Sequence, residues 1–189
     1  MGYKVITPRA SPVIVLADLK AHLRVTVSTE DTYIASLLET ACAYVQSVTN
    51  NSIGAQTVEL YSDAFPDGTG SLELQRGPVT GVTSVQYYDV NGTLQTLSAS
   101  LYVLDNHCVP SRLTLAVSAA WPATRVMDNA VRVLFSGGSA ALDDGVRGAL
   151  LLLVGHLYEN REAVNVGNIV TKMPLSAEAL LDGVRDWSM

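Results

Sequence analysis

Apolar residues at three-and-four spacing dominate residues 143–164, DDGVRGALLLLVGHLYENREAV, where Val146, Leu150, Leu153, Val154 and Leu157 fall on one helical face. Asp143 and Asp144 stand at the electropositive start of this predicted helix, which is the core of the expected fold. Leu151 and Leu152 widen the apolar surface beyond one stripe, so the helix needs cover on more than one side, from its own domain or from another subunit. The same period marks residues 16–24, with Leu16, Leu19 and Leu23 on one face and Asp18 and His22 beside it. It returns in residues 31–49 through Ile34, Leu37, Leu38, Ala41, Val45 and Val48. Ser28 with Asp31 three residues on reads as a variant capping box, and Asn50-Asn51-Ser52 with Gly54 as the stop.

From residue 56 to 137 the period falls to two. Val58 and Leu60, Leu72 and Leu74, Val85 and Tyr87, Leu113, Leu115 and Val117, then Val131, Val133 and Phe135 alternate as half-buried strands do. Asn91-Gly92 predicts a hairpin in which both residues take positive φ, and Pro66-Asp67-Gly68, Gly77-Pro78 and Trp121-Pro122 punctuate the other strands. Residues 2–14, with Pro8 and Pro12, read as an extended arm able to lie on a neighbour. Gly137-Gly138-Ser139 reads as a free linker, residues 165–174 as a mobile or partner-ordered loop, and Ser176 as the start of a short helix with Ala179, Leu180 and Val184 on one side and Trp187 near its end. The fold class expected is α+β: a helical platform with an inserted antiparallel β region. Residues 1–55 supply an arm and two helices, 56–137 the insert, and 138–189 the central helix, loop and last helix.

Composition narrows the function. The chain of 189 residues is 48% hydrophobic and 16% charged, the balance of a folded protein with extensive buried or shared surface. Its formal charge of −6, with no run of Lys or Arg, disfavours sequence-reading of nucleic acid. The apolar run 149–154 falls far short of the ~20 residues a bilayer demands. The opening residues MGYKVITP have none of the regions of a secretory leader, which predicts synthesis and folding in the cytoplasm. Cys42 and Cys108 read as two reduced, buried thiols.

Candidate chemistry is sparse. His22, His107 and His156 lie in three separate segments without metal-ligand spacing, and His156 one turn before Asn160 reads as a satisfied core or interface histidine. His107 and Cys108 are chain neighbours, and neighbours in a strand point to opposite faces, so they make no catalytic pair. Gly68-Thr69-Gly70 and residues 167–172 lack the glycines of a nucleotide loop, and Ser136-Gly137-Gly138-Ser139 is not a nucleophile elbow. No catalytic residue, cofactor or metal site is expected.

Two segments together resemble the head-tail connector (adaptor, head-completion) proteins of tailed phages and prophages. One is LADLKAHLRV, residues 16–25, leading into the long helix with Asp31 near its start. The other is HLYENREAV, residues 156–164, followed by a loop, Met173-Pro174 and a helix with Leu180, Leu181 and Arg185. The resemblance implies a structural, non-enzymatic subunit of a closed ring beneath the portal vertex in the virion. That ring, dodecameric by this resemblance, joins the portal protein to stopper or tail-completion proteins and lets double-stranded DNA pass without sequence-specific binding. In this picture residues 31–49 and 146–161 build the ring wall, Tyr158, Arg161, Glu162 and His156 are candidate subunit contacts, and Leu180, Leu181, Arg185 and Trp187 are candidate portal-docking residues. For Tyr158, Arg161 and Glu162 an intramolecular salt-bridged helix end is the alternative. Two rivals stand beside it: a tail-completion or tail-terminator subunit, and a small ligand-binding domain built on Asp105, His107 and Arg112.

Overall fold

The computed structural model describes residues 1–139, 141–161 and 175–184. They form two compact units. One comprises residues 1–10 and the chain from Gly54 to residue 139; the other comprises Ser11–Ile53 and the described residues from Ala141 onward. The fold is α+β, with four α-helices and only antiparallel strand pairs among the described residues.

The helical unit contains α1 (Leu16–Leu23), α2 (Asp31–Thr49), α3 (Asp144–Glu159) and α4 (Leu175–Leu181). The apolar stripes meet as their spacing requires: Leu19 of α1, Ile34, Leu38, Ala41 and Val45 of α2, and Val146, Leu150, Leu153 and Val154 of α3 are buried in one cluster. Helix α1 ends at Arg24 in the left-handed region, where the N–H groups of Arg24 and Val25 donate to Ala21 and Lys20 carbonyls at 3.3 and 2.9 Å. That arrangement satisfies the last carbonyls, a role glycine more often fills. Asp143 caps α3, its carboxylate accepting from the Gly145 and Val146 N–H groups at 2.8 and 3.4 Å. Ion pairs tie the helices together, among them Lys20 to Asp31 at 2.6 Å and Arg147 to Asp18 at 2.6 Å.

Two helical expectations change. The N-cap of α2 is Glu30, with no side-chain cap bond, so the Ser28 capping box is not formed; Asp31 N–H donates instead to the Ser28 carbonyl at 3.3 Å. The core side of α4 carries Ala177 and Leu181, while Ala179 and Leu180 face solvent, because α4 begins at Leu175 and its stripe is offset from the expected one. The segment 165–174 and Trp187 lie outside the described residues.

In the other unit, β1 (Gly2–Thr7), β2 (Gln56–Ser62), β4 (Val79–Tyr88), β5 (Leu94–Thr96) and β8 (Val131–Gly137) form a sheet in the order β1-β2-β8-β4-β5. A second sheet, β3-β7-β6, uses β3 (Leu72–Leu74), β6 (Tyr102–Asp105) and β7 (Ser111–Leu115). The inward residues of both sheets share one core of Val58, Leu60, Leu72, Leu74, Leu113, Val131, Val133 and Phe135. Phe65 stacks on Trp121 at one end, ring centroids 4.8 Å apart, and the Trp121 indole N–H donates to the Gly70 carbonyl at 2.9 Å.

The expected arm is therefore a strand from residue 2 to 7. Tyr3 and Val5 register against Leu60 and Val58, and the Tyr3 hydroxyl donates to the Glu73 carbonyl at 3.0 Å, linking the two sheets. The hairpin falls where Asn91-Gly92 predicts it, but only Gly92 takes positive φ. Asp89 holds the loop instead: its carboxylate accepts from the Asn91 and Thr93 N–H groups and from the Gln95 amide, and its carbonyl accepts from the Gly92 N–H. This is the longer loop with one left-handed glycine and not the two-residue turn. Strand β7 stops at Leu115; Val117 is 98% exposed beside Ser118, which has positive φ. Gly137 belongs to β8 and the Gly138 N–H donates to the Pro78 carbonyl, so these glycines are anchored to the sheet and are not a free linker. Cys42 is buried and Cys108 is only half-buried; neither forms a disulfide.

Candidate assembly surface

The start of α2 and the end of α3 meet in a four-residue polar cluster. Glu30, just before α2, accepts a hydrogen bond from the Tyr158 hydroxyl and pairs with Arg161 at 2.7 Å. The Arg161 guanidinium lies 4.7 Å from the Tyr33 ring centroid and 5.2 Å from that of Tyr158. Position explains the convergence: Tyr158 lies in the last turn of α3 and Arg161 two residues past its end, while Glu30 and Tyr33 are three apart at the start of α2. The Arg161 and Tyr158 hydrogen bonds hold the Glu30 carboxyl below its ordinary range, and the carboxylate in turn raises the Tyr158 phenol.

Of the candidate contacts, Tyr158 and Arg161 are thus joined to each other and to their own subunit, through Glu30 and Tyr33, residues to which the sequence pattern assigned no role. His156 is half-buried, with its Nδ1 3.3 Å from the Asn160 amide. Glu162 lies outside the described residues. On α4, Leu180 is 40% exposed while Leu181 is 2% exposed and packed in the helical core. Arg185 also lies outside the described residues.

A depressed carboxyl stabilises the fold above its unfolded value, and that contribution is lost as pH falls through the lower folded value. We therefore expect acid unfolding of the wild type to steepen below the ordinary glutamate value of 4.5. Glu30→Gln should flatten that part of the pH–stability curve, measured by denaturant titration at stepped pH; an unchanged curve would show that the cluster adds nothing to stability.

The β region offers no converging reactive set. Asp105 accepts from the His107 backbone N–H at 3.1 Å, Arg112 pairs with Glu73 at 3.6 Å, and His107 is exposed. Desolvation and Asp105 both push the Cys108 thiol up, away from a reactive thiolate. The interior is filled by Val, Leu and Phe. Among the described residues no group of three or more His, Cys, Asp or Glu could hold a metal ion, and no helix is long and apolar enough to cross a membrane.

Residues 13–86 match the family model described as phage gp6-like head-tail connector protein. The span covers α1, α2, β2, β3 and most of β4. The whole fold is similar to that of a chain in the virion of a native gene transfer agent particle, with a TM-score of 0.81 and 22% identity over 100% of this chain and 97% of that one. Chains in the neck of the empty particle computed with C6 symmetry and of the native particle computed with C12 symmetry give TM-scores of 0.78 and 0.76 at the same identity and coverage. No curated protein sequence matches the chain.

Proposed function

We propose that this chain, a relative of the phage gp6-like head-tail connector proteins, is a structural subunit of the ring at the head–tail junction of a virion. The observation that carries the reading is the agreement of the family match over residues 13–86 with a fold shared end to end with subunits of a particle neck. Such necks are computed with cyclic symmetry, and a cyclic head-to-tail contact needs apolar surface that one subunit leaves partly open. Leu151, Leu152 and Leu157 of α3 supply it: they flank the helical core and stay half-exposed.

In this reading α2 and α3 form the ring wall, and Tyr158 and Arg161 enter the subunit contact already fixed by Glu30 and Tyr33. His156 and Glu162 extend that contact. The ring sits between portal protein on one side and stopper or tail-completion protein on the other, and its acidic balance lets double-stranded DNA pass without adhering. The exposed Leu180, with Leu181, Arg185 and Trp187, belongs to the portal-facing end; Leu181 contributes by holding α4 in place. On this account the subunit is structural rather than enzymatic, as its match to a connector family implies.

The test is assembly. Multi-angle light scattering at high concentration, or after mixing with portal protein, should reveal a species many times the 20.1 kDa subunit. A chain that stays monomeric in both conditions defeats the ring. Replacing the exposed Leu180 with Asp should weaken portal capture while assembly of the chain alone persists; capture at wild-type strength would refute the docking end.

A further inference from the structure

The outward face of the five-stranded sheet carries a cation that no described carboxylate of its own subunit neutralises. Along β2 and β8, Val58, Leu60, Val131, Val133 and Phe135 point into the core, whereas Glu59, Tyr61, Arg132 and Leu134 lie on the opposite face and are half-exposed. Tyr61 and Arg132 are direct cross-strand neighbours. The Arg132 guanidinium carbon lies 5.8 Å from the Tyr61 ring centroid and 5.5 Å from that of Tyr88, and its Nη2 is 3.4 Å from the Tyr88 hydroxyl. Two rings thus hold it in one orientation. Its Nε is buried without an acceptor, and no carboxylate among the described residues lies within ion-pair distance. Glu59, the acid on this face, spends its carboxylate on the Tyr61 hydroxyl. The guanidinium is half-exposed, so a carboxylate from another molecule can reach its outer edge, and a tyrosine-framed arginine is a composition typical of interface centres.

Charge selects the occupant. Most of the chain's net −6 falls within Ser11–Ile53 and Ala141–Trp187. There Asp144 opens α3 and Asp182 follows α4, both exposed and at the same end of the unit: a Cβ on Gly145 would lie 3.3 Å from the Leu180 carbonyl oxygen. Neither carboxylate is used as the α3 cap, a task Asp143 performs. A phosphate backbone is a poor alternative, because it needs several clustered cations and Arg132 shares its face with Glu59.

We propose that the Tyr61–Arg132–Tyr88 face of one copy receives the carboxylates of Asp144 and Asp182 from the next copy around the ring. The inference rests on the ring reading above and specifies one of its contacts. The two surfaces differ, so the contact is heterologous and can close a ring. Bidentate geometry suits the planar guanidinium to a carboxylate.

Two variants of the full chain test it, Arg132→Glu and the double change Asp144→Lys with Asp182→Lys. Each alone should raise the concentration at which assembly sets in by about tenfold or more, read by sedimentation velocity. An equimolar mixture should recover assembly, because the sheet face of the Arg132→Glu variant meets the lysine-bearing corner of the double variant, and the native face meets the native corner. Arg132→Gln, which removes charge at similar size, should lose assembly and recover less of it on mixing with the double variant than Arg132→Glu does, because only the native face and native corner then pair. Unaltered thermal melts establish that each variant folds. Variants that assemble like the wild type, or a mixture no better than its components, overturn the contact while leaving the ring intact; a wild type that never assembles overturns the ring and this contact with it. Arg132-dependent retention of a double-stranded DNA fragment, without any change in assembly, likewise overturns it in favour of phosphate.

Discussion

Leu150→Ala is expected to destabilise the helical unit by about 3 kcal/mol, within the range of about 2–5 kcal/mol for truncating a fully buried leucine. Leu150 is completely buried on the inner face of α3, in one cluster with Leu19 of α1 and with Leu38 and Val45 of α2. No single side chain there can move to fill the void, because each is held by its own helix. The measurement is a urea titration followed by far-ultraviolet circular dichroism, where the midpoint should fall with little change in slope. A loss below about 1 kcal/mol would mean that this helix is not the centre of its unit. The ring reading gains a second observable: a subunit whose α3 is loosened should assemble less, since the half-exposed Leu151, Leu152 and Leu157 lie on the same helix.

Phe135→Ala should cost the sheet unit about 4 kcal/mol, within the range of about 3–5 kcal/mol seen for buried aromatic truncations. Phe135 is fully buried on β8, the central strand, opposite Val58 of β2 and Val82 of β4. Removing it opens a cavity between the strands on both sides and beneath the second sheet. Amide exchange read by mass spectrometry should show protection lost first in β2, β8 and β4. Equal loss across α2 and α3 would indicate that the two units unfold as one cooperative block, and intact protection everywhere would contradict the burial of Phe135 in the sheet core. Together the two truncations ask whether stability is divided between the units as the two separate cores imply.

The connector reading ties both cores to one task. A ring subunit must be stiff enough to keep its contact surfaces in register, and polar clusters such as Glu30–Tyr158–Arg161 and Tyr61–Arg132–Tyr88 fix charged side chains that would otherwise sample many rotamers. In the first cluster the charge is already paired within the subunit; in the second it is not, and that difference separates a stabilising feature from a contact awaiting its partner.

The helices α1, α2 and α3 and the alternating strands β2, β3, β4 and β8 were legible in the order of residues alone, because a stripe that must be buried imposes its period of 3.6 or 2 on the chain. The resemblance to connector proteins, carried by residues 16–25 and 156–164, was legible there too, as was the N-terminal role of Asp143. What escaped that reading depends on pairing at long range. Strand β1 looked like an arm because its prolines follow it and its partner, β2, is distant in the chain, with Tyr3 set against Leu60. The hairpin turned on an aspartate that bonds its own loop, and the offset of α4 on which turn faces α3. Above all, which charges are satisfied is a property of space: Glu30 meets Arg161 across 131 positions, and nothing in the order of residues distinguishes that arginine from Arg132, left without an acid. Local physics determined the elements; only the tertiary structure, by bringing distant side chains within a few ångströms, decided which surface the subunit keeps for itself and which it offers to another.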